Sequence, residues 1–404
     1  MISPMQIKAQ RYSGQLQAPA SKSHGQRLLI LAALSNNACQ IQNLGADRDT
    51  KAMQAALKHF TQHPSNRQEV VIDVGESGFA LRTLAFVASH FCSHYRLTGH
   101  GTLLKRTHWS TIHLLEQLGL KVTHQNGQLP LAIEGEVSNT QINVDGSEGS
   151  QYVSGLFLFA AKQPGSWQIT VKNLNSHAYF EMTLAALNQF GFVYQQNGEI
   201  YSFEGAQELS CPEVSVEGDW SSVAAHLVGA SIRGEIRVSG LNPESLQPDQ
   251  NLLHALEQFG AKYDWNNGEL FLSESKNKNP FEFDCTQQPD LFPVLVVLAC
   301  AAHGTSSIKG IHRLKNKESD RLHAMCEALD IWGIPYHIVQ DQIEIHGSGK
   351  IKSGCINTYN DHRIVMAACI ANLLSNQLQM PEDTSAVLKS YPGFMNDFER
   401  LLQG

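Results

Sequence analysis

Six stretches of this chain read as helices that are apolar on almost every side, each preceded by a small polar cluster. They run from Ser21-Lys22-Ser23 to Ala33, Glu76-Ser77-Gly78 to Ala88, Gly149-Ser150-Gln151 to Ala161, Asp219-Trp220-Ser221 to Ala230, Asp290 to Ala302, and Asp361-His362-Arg363 to Leu374. A helix containing Val294-Leu295-Val296-Val297-Leu298-Ala299 offers no face to water and must be enclosed. After the first interval the starts recur roughly every seventy residues, longer than common solenoid repeats. Each unit continues with a strand and an amphipathic helix. Leu118-Gly119, Phe190-Gly191, Phe259-Gly260 and Trp332-Gly333 close such helices with the residue suited to a left-handed C-cap. The pattern predicts an α/β (α+β) protein of two similar lobes of three units, with helices inside and sheet outside. If the buried helices run parallel, their N-termini converge, and unpaired N–H groups make a face that attracts anions. Two such faces opposed would form a cleft.

The densest charge cluster is Lys315-Asn316-Lys317-Glu318-Ser319-Asp320-Arg321, ahead of a helix whose Leu322, Met325, Cys326 and Leu329 repeat at i, i+3, i+4 and i+7. Ser319 is the expected N-cap, with Arg321 in the first turn. Cations there suit a phosphate or carboxylate, and Glu318 among them suggests proton chemistry. The plain alternative is a solvated charged turn. Net charge is −8, so the chain has no general attraction for nucleic acid or anionic membrane, and an anionic ligand must be held by local cations. Eight cysteines without a CxxC pair read as reduced thiols. Met1 to Gly14 lacks an apolar run like a signal peptide, and no run is long enough to span a bilayer. A soluble cytoplasmic protein is expected.

Other clusters carry similar chemistry. Lys22 and Arg27 flank Ser23 at a buried helix, and Lys105-Arg106 follow the turn Gly99-His100-Gly101. Ser150-Gln151 and Ser176 with Tyr179 offer neutral contacts suited to a polyhydroxylated ligand, although each alone reads as a cap or surface residue. Asp290 opens the fifth apolar helix, where capping is the simpler role. Asp361-His362-Arg363 open the sixth, and Lys389 would ordinarily be a solvated lysine. His90-x-Cys92-x-His94 lacks a second ligand pair for zinc. Gly347-Ser348-Gly349-Lys350 lacks the first Gly and the Ser/Thr of a P-loop and reads as a turn.

Taken together, Ser21-Lys22-Ser23-x-x-x-Arg27, Lys317-Glu318-Ser319-Asp320-Arg321, Asn360-Asp361-His362-Arg363 and Lys389-Ser390-Tyr391-Pro392, with Ser150-Gln151 and Ser176-x-x-Tyr179, resemble the EPSP synthase (3-phosphoshikimate 1-carboxyvinyltransferase) family from about Pro19 to Pro392. The resemblance implies the inside-out α/β barrel of enolpyruvyl transferases, built from βαβαββ-like units. It places residues 17–216 in a lobe serving shikimate 3-phosphate, and residues 1–16 plus 217–404 in a lobe serving phosphoenolpyruvate. The implied reaction joins these substrates by addition and elimination through a tetrahedral adduct, releasing phosphate. The implied catalytic residues are Lys22, Asp290 and Glu318. Shikimate 3-phosphate would meet Lys22, Ser23, Arg27, Ser150, Gln151, Ser176, Tyr179, Asp290 and Lys317. Phosphoenolpyruvate would meet Lys22, Gly78, Arg106, Gln151, Arg321, Arg363 and Lys389, with His362 in support. No metal or organic cofactor, no nucleic acid and no membrane partner is implied, and the chain is expected to be a monomer.

The sequence departs from the family pattern at several places. Gly25 stands where a hydroxyl residue is usual, and Gly149 replaces the first serine of a Ser-Ser-Gln triplet, which would remove a phosphate contact. Glu76 replaces Asn or Asp, and Arg313 stands where some relatives have Asn. Phe79 stands where Thr is common, and is expected to crowd glyphosate-type analogues beside Gly78. Two alternatives remain open. A UDP-N-acetylglucosamine carboxyvinyltransferase would need a cysteine near Lys105-Arg106. A non-catalytic anion- or RNA-end-binding protein would have no use for Glu318 and Asp290 among the cations.

Overall fold

The structure, a computed structural model, describes residues 11–62, 69–377 and 379–403. These separate into two compact units: Lys22–Val216, and the residues up to Ser21 together with those from Glu217 onward. Strand β1 (Tyr12–Gln17) belongs to the latter. Lys22–Val216 begins with α1 (Lys22–Leu34), β2 (Ile41–Gln42) and α2 (Arg48–Gln62). It continues through β3 (Val70–Asp73), α3 (Gly78–Val87), β4 (His94–Thr98), α4 (Trp109–Gln117), β5 (Lys121–Gln125) and β6 (Gln128–Glu134). The same order returns as β7 (Gln141–Asp145), α5 (Gln151–Ala160), β8 (Ser166–Lys172), α6 (His177–Gln189), β9 (Gln195–Asn197) and β10 (Ile200–Glu204), before β11 (Val214–Ser215). Each copy is a βαβαββ motif whose first two strands pair in parallel and whose hairpin adds antiparallel strands, in the orders β3-β4-β6-β5 and β7-β8-β10-β9.

The other unit repeats the plan. It runs α7 (Trp220–Arg233), β12 (Gly234–Ser239), α8 (Leu252–Phe259), β13 (Lys262–Asn266) and β14 (Glu269–Ser273). Then follow β15 (Glu282–Asp284), α9 (Phe292–Ala301), β16 (His303–Lys309), α10 (Arg321–Trp332), β17 (Tyr336–Val339) and β18 (Gln342–Ser348), with α11 (His362–Ala371) and α12 (Phe394–Gln403) last. Its sheets are β1-β12-β14-β13 and β15-β16-β18-β17, so β1 supplies the parallel partner that β12 lacks locally. Among the described residues the motif is complete four times. The stretch around α1 and α2 keeps only β2, paired with β11, and α11 and α12 have no sheet of their own among the described residues.

The apolar helices are enclosed as their composition requires, with every residue of α9 and α11 buried. Burial of each large side chain of α9 stabilises the fold by about 1.5–3 kcal/mol. Strands such as β7 and β8 alternate, one face buried and one exposed. Helices α3 and α5 cross with their backbones nearly touching. A Cβ on Gly155 would lie 2.5 Å from the Arg82 carbonyl oxygen, so only glycine fits there. The expected left-handed glycines at helix ends are present, with φ of 94° at Gly119, 94° at Gly191, 97° at Gly260 and 70° at Gly333.

The thiol reading needs a correction. Cys39 and Cys211 form a disulfide with Cα atoms 5.4 Å apart, and the other six cysteines are free. Their separation of 172 residues hid the pair, which the β2–β11 ladder brings together. Asn37 holds the same place, accepting from the Cys211 N–H at 2.7 Å and donating to its carbonyl at 3.2 Å. Cys211→Ser should lower the stability of Lys22–Val216 by about 2–5 kcal/mol. Thiol titration of protein prepared without reductant and then denatured should find six free thiols; finding all eight cysteines reactive would show the pair open.

No helix among the described residues is long and apolar enough to cross a membrane. Nor do they contain a group of three His, Cys, Asp or Glu side chains able to hold a metal ion.

Candidate active site

The residues expected to meet substrate form two clusters, one in each unit. In Lys22–Val216 the cluster lies at the N-terminal ends of α1, α3 and α5, which side-chain bonds tie together. Gln26 on α1 donates to Ser77, the N-cap of α3, at 3.3 Å. Arg82 on α3 donates to the Gln151 side chain at the start of α5 at 2.9 Å. Ser154 on α5 shares a 2.7 Å bond with Thr183 on α6. Converging helix ends of this kind favour anions.

Within that cluster Lys22 lies 3.0 Å from Asp49, a carboxylate on α2 that the sequence reading did not single out. Arg106 closes the short turn after Gly101 and donates to Thr102 at 3.3 Å. A Cβ on Gly78 would lie 2.9 Å from Arg82 Nη1 and 3.4 Å from Arg106 Nη1, so glycine leaves room for two guanidinium groups beside one backbone. Ser150 and Ser176 occupy N-cap positions of α5 and α6, yet neither side chain caps its helix. Ser176 has a φ of 57°, a conformation uncommon for any residue but glycine.

Arg27 differs from the expected open contact. It is 1% exposed, and it donates to Thr183 Oγ1, the Ser23 carbonyl and the Tyr179 carbonyl, each at 2.7 Å. Burial pulls its pKa down to about 10. The Phe79 ring lies beneath the guanidinium, 4.6 Å away, and Phe79 is buried. This placement does not support the expectation that Phe79 crowds ligands beside Gly78.

The second cluster is centred on Arg321, which is fully buried. Its Nε donates to Asp361 at 2.8 Å, Nη1 to Asp290 at 2.7 Å, and Nη2 to Glu318 at 3.0 Å. The Pro289 carbonyl and the second Asp361 oxygen, both at 3.4 Å, take the remaining donors. Arg321 therefore organises three carboxylates, and a substrate contact would require it to exchange one of them. Asp320, not Ser319, caps α10, accepting from the His323 N–H at 3.1 Å. Ser319 instead donates to Asp361 at 3.0 Å.

Asp290 is not a cap either, since α9 begins beyond it and its carboxylate faces Arg321 and Arg363. Burial pushes the Asp290 carboxyl upward, but Arg321, Arg363 and Lys317 together outweigh that and hold it well below the ordinary carboxylate range. Lys317 is pulled down to about 8, mainly by burial and against the field of Asp290. Arg363 donates to the Ser221 carbonyl at 2.7 Å, and Lys389 to the Asn360 carbonyl at 2.9 Å. His362 is buried beside Asp361. The N-terminal ends of α7, α9 and α11 thus converge as those of α1, α3 and α5 do.

Arg82, like Asp49, is a site residue the sequence reading missed. Its signal was available: it is the one charge in the apolar run from Phe79 to Ala88. Together with Arg106 it acts on buried His108, which burial first and then these two cations hold down at about 3, so that the imidazole stays neutral.

Residues 7–398 match the sequence profile of the family described as EPSP synthase (3-phosphoshikimate 1-carboxyvinyltransferase). The chain is 31% identical over 412 residues to a 3-phosphoshikimate 1-carboxyvinyltransferase of Methanocorpusculum labreanum, covering 98% of this chain and 97% of the relative. It is 33% identical over 399 residues to one of Thermococcus kodakarensis, covering 96% and 98%. Its fold is similar to that of EPSP synthase from Acinetobacter baumannii, with a TM-score of 0.80, 23% identity, and 98% and 97% of the two chains covered. It is also similar in fold to the enolpyruvyl transferase NikO from Streptomyces tendae, with a TM-score of 0.72, 14% identity, and coverage of 97% and 95%.

Proposed function

The chain belongs to the EPSP synthase family, and on that premise we propose how its two clusters divide the work of enolpyruvyl transfer. It transfers the enolpyruvyl group of phosphoenolpyruvate to the 5-hydroxyl of shikimate 3-phosphate, releasing phosphate. The observation that carries the assignment of roles is the Arg321 cluster, where three carboxylates and two further cations, Arg363 and Lys317, meet around one buried guanidinium. An anion-binding protein gains nothing from Asp290 and Glu318 there, because they repel its ligand; a proton-transferring enzyme requires them.

Lys22, Arg106, Arg363 and Lys389 hold the phosphate and carboxylate of phosphoenolpyruvate, with Gly78 and Gln151 shaping that contact and Arg321 exchanging a carboxylate for it. Ser23, Ser150, Gln151, Ser176, Tyr179 and Lys317 take shikimate 3-phosphate, while Arg27 supports Ser23 and Tyr179 from behind. Asp290 is kept so firmly ionised that its part is to accept a hydrogen bond from the 5-hydroxyl. Of Glu318 and Lys22, one protonates the enol carbon while the other takes the proton of the 5-hydroxyl as its oxygen bonds the adjacent carbon. The two reverse their roles in the elimination, where a proton is withdrawn from the new methyl group and the hydroxyl proton leaves with phosphate. The alternative enzyme would need a reactive cysteine beside Arg106. In Lys22–Val216, however, Cys39 and Cys211 are bridged, and Cys92 is buried, bonded to the Ala88 carbonyl and pushed up to about 11. The reading takes the enzyme as a cytoplasmic monomer. Mixing the two substrates and assaying free phosphate tests it: release must need both, and release from phosphoenolpyruvate alone would refute it.

Lys317 adds a pH dependence. With its pKa near 8, it is charged below that value and loses charge above it. A bound phosphate dianion favours the charged form, so binding should take up a proton near pH 8. Affinity for shikimate 3-phosphate should fall by up to about tenfold per pH unit above it. Calorimetry in two buffers of different ionisation enthalpy reads both effects, and Lys317→Arg should remove them. A flat affinity from about pH 7 to 9.5 would exclude Lys317 from the phosphate contact.

A further inference from the structure

Two consecutive residues ahead of α11, Tyr359 and Asn360, have φ of 52° and 55°, a pairing that side-chain-bearing residues adopt only when the surroundings hold them there. The turn has internal support, because Tyr359 N–H donates to Asn357 Oδ1 and Asp361 N–H to the Thr358 carbonyl, both at 2.9 Å. Its product is specific. The left-handed conformation aims the Asn360 carbonyl at Lys389 Nζ, and it delivers Asp361, which binds Arg321, Ser319 and the Arg363 N–H. The Tyr359 hydroxyl then reaches out of the turn and donates to Glu327 on α10, whose other oxygen lies 3.5 Å from His323. Arg321 is the first residue of that helix, so α10 grips the strained turn twice, through Arg321–Asp361 and through Glu327–Tyr359.

We propose that Glu327 and Tyr359 are positioning residues for phosphoenolpyruvate, holding the Tyr359–Asn360 turn in the strained conformation that presents Lys389 and Arg363. Neither touches substrate. Without the outer grip the turn relaxes toward negative φ, the Asn360 carbonyl swings away from Lys389, and the cations lose their spacing. The proposal rests on the assignment of Lys389 and Arg363 to phosphoenolpyruvate made above.

The test compares Tyr359→Phe, Glu327→Ala, the double variant and Glu327→Gln, measuring KM separately for each substrate, with thermal melts alongside. Each of the first two should raise KM for phosphoenolpyruvate about tenfold, the worth of one charge-assisted hydrogen bond. KM for shikimate 3-phosphate should stay unchanged, the double variant should be no worse than either single one, and Glu327→Gln, which can still accept the bond, should restore most of the loss. Additive effects, equal changes in both KM values, or unchanged KM would overturn the proposal. Glu327 is part-exposed on its helix, so its two variants decide the matter even if Tyr359→Phe folds poorly. Wild-type turnover in the same assay reports on the function by itself, so a failure of that reading is distinguishable from a failure of this one.

Discussion

Glu318→Gln is expected to lower turnover by about 10²–10⁴-fold while leaving the thermal midpoint nearly unchanged. The amide matches the carboxylate in shape and can still accept from Arg321 Nη2, 3.0 Å away in the native protein. Arg321 keeps Asp361 and Asp290, so the buried cation stays compensated. What is lost is a group able to carry a proton to and from the enol carbon, and Asp290, held ionised by its cations, cannot replace it. The measurement is phosphate release at saturating concentrations of both substrates, with circular dichroism as the check on folding. Turnover within about tenfold of wild type would remove Glu318 from proton transfer, because general acid–base catalysis contributes more than that.

Arg321→Leu should be the most damaging single change to the fold. It leaves Asp361 fully buried and Asp290 and Glu318 partly so, without the cation that joins them. Removing one partner of a buried ion pair costs about 3–5 kcal/mol, read as a fall in the urea midpoint. A fall of less than about 1 kcal/mol would mean that the network relaxes or takes up solvent. The acid side of the stability profile should change too. Asp290 has a folded-state pKa below its unfolded value, so its contribution is present above the unfolded value and is lost as pH falls through the folded one. Wild-type stability should therefore drop on acidification below about pH 4. Arg321→Leu removes one of the cations that depress Asp290, and its profile should be flatter there.

The enclosed helices were legible in the sequence because a run such as Phe292 to Ala301 leaves no other solution, and the glycines after Phe259 and Trp332 marked helix ends by conformation alone. Asp290 shows where that legibility stopped. Its position before an apolar helix fits a cap as well as a catalytic acid, and only its two arginine neighbours separate the roles. Ser319 and Asp320 both qualify as caps by type, and the choice was made by Asp361, which engages Ser319 from 42 residues away.

What the amino-acid order determined by itself was local: which helices must be buried, where they end, and which cations and acids stand at their starts. Partnership was decided only by the tertiary structure. Arg27 and Arg321 looked like open anchors and are largely occupied by the protein, while Cys39 found Cys211 across 172 residues. The physical reason is that burial and hydrophobic periodicity act over a few residues of chain. Hydrogen bonds, ion pairs and disulfides depend on distances in space, and those exist only once the parallel and antiparallel ladders have brought remote segments together.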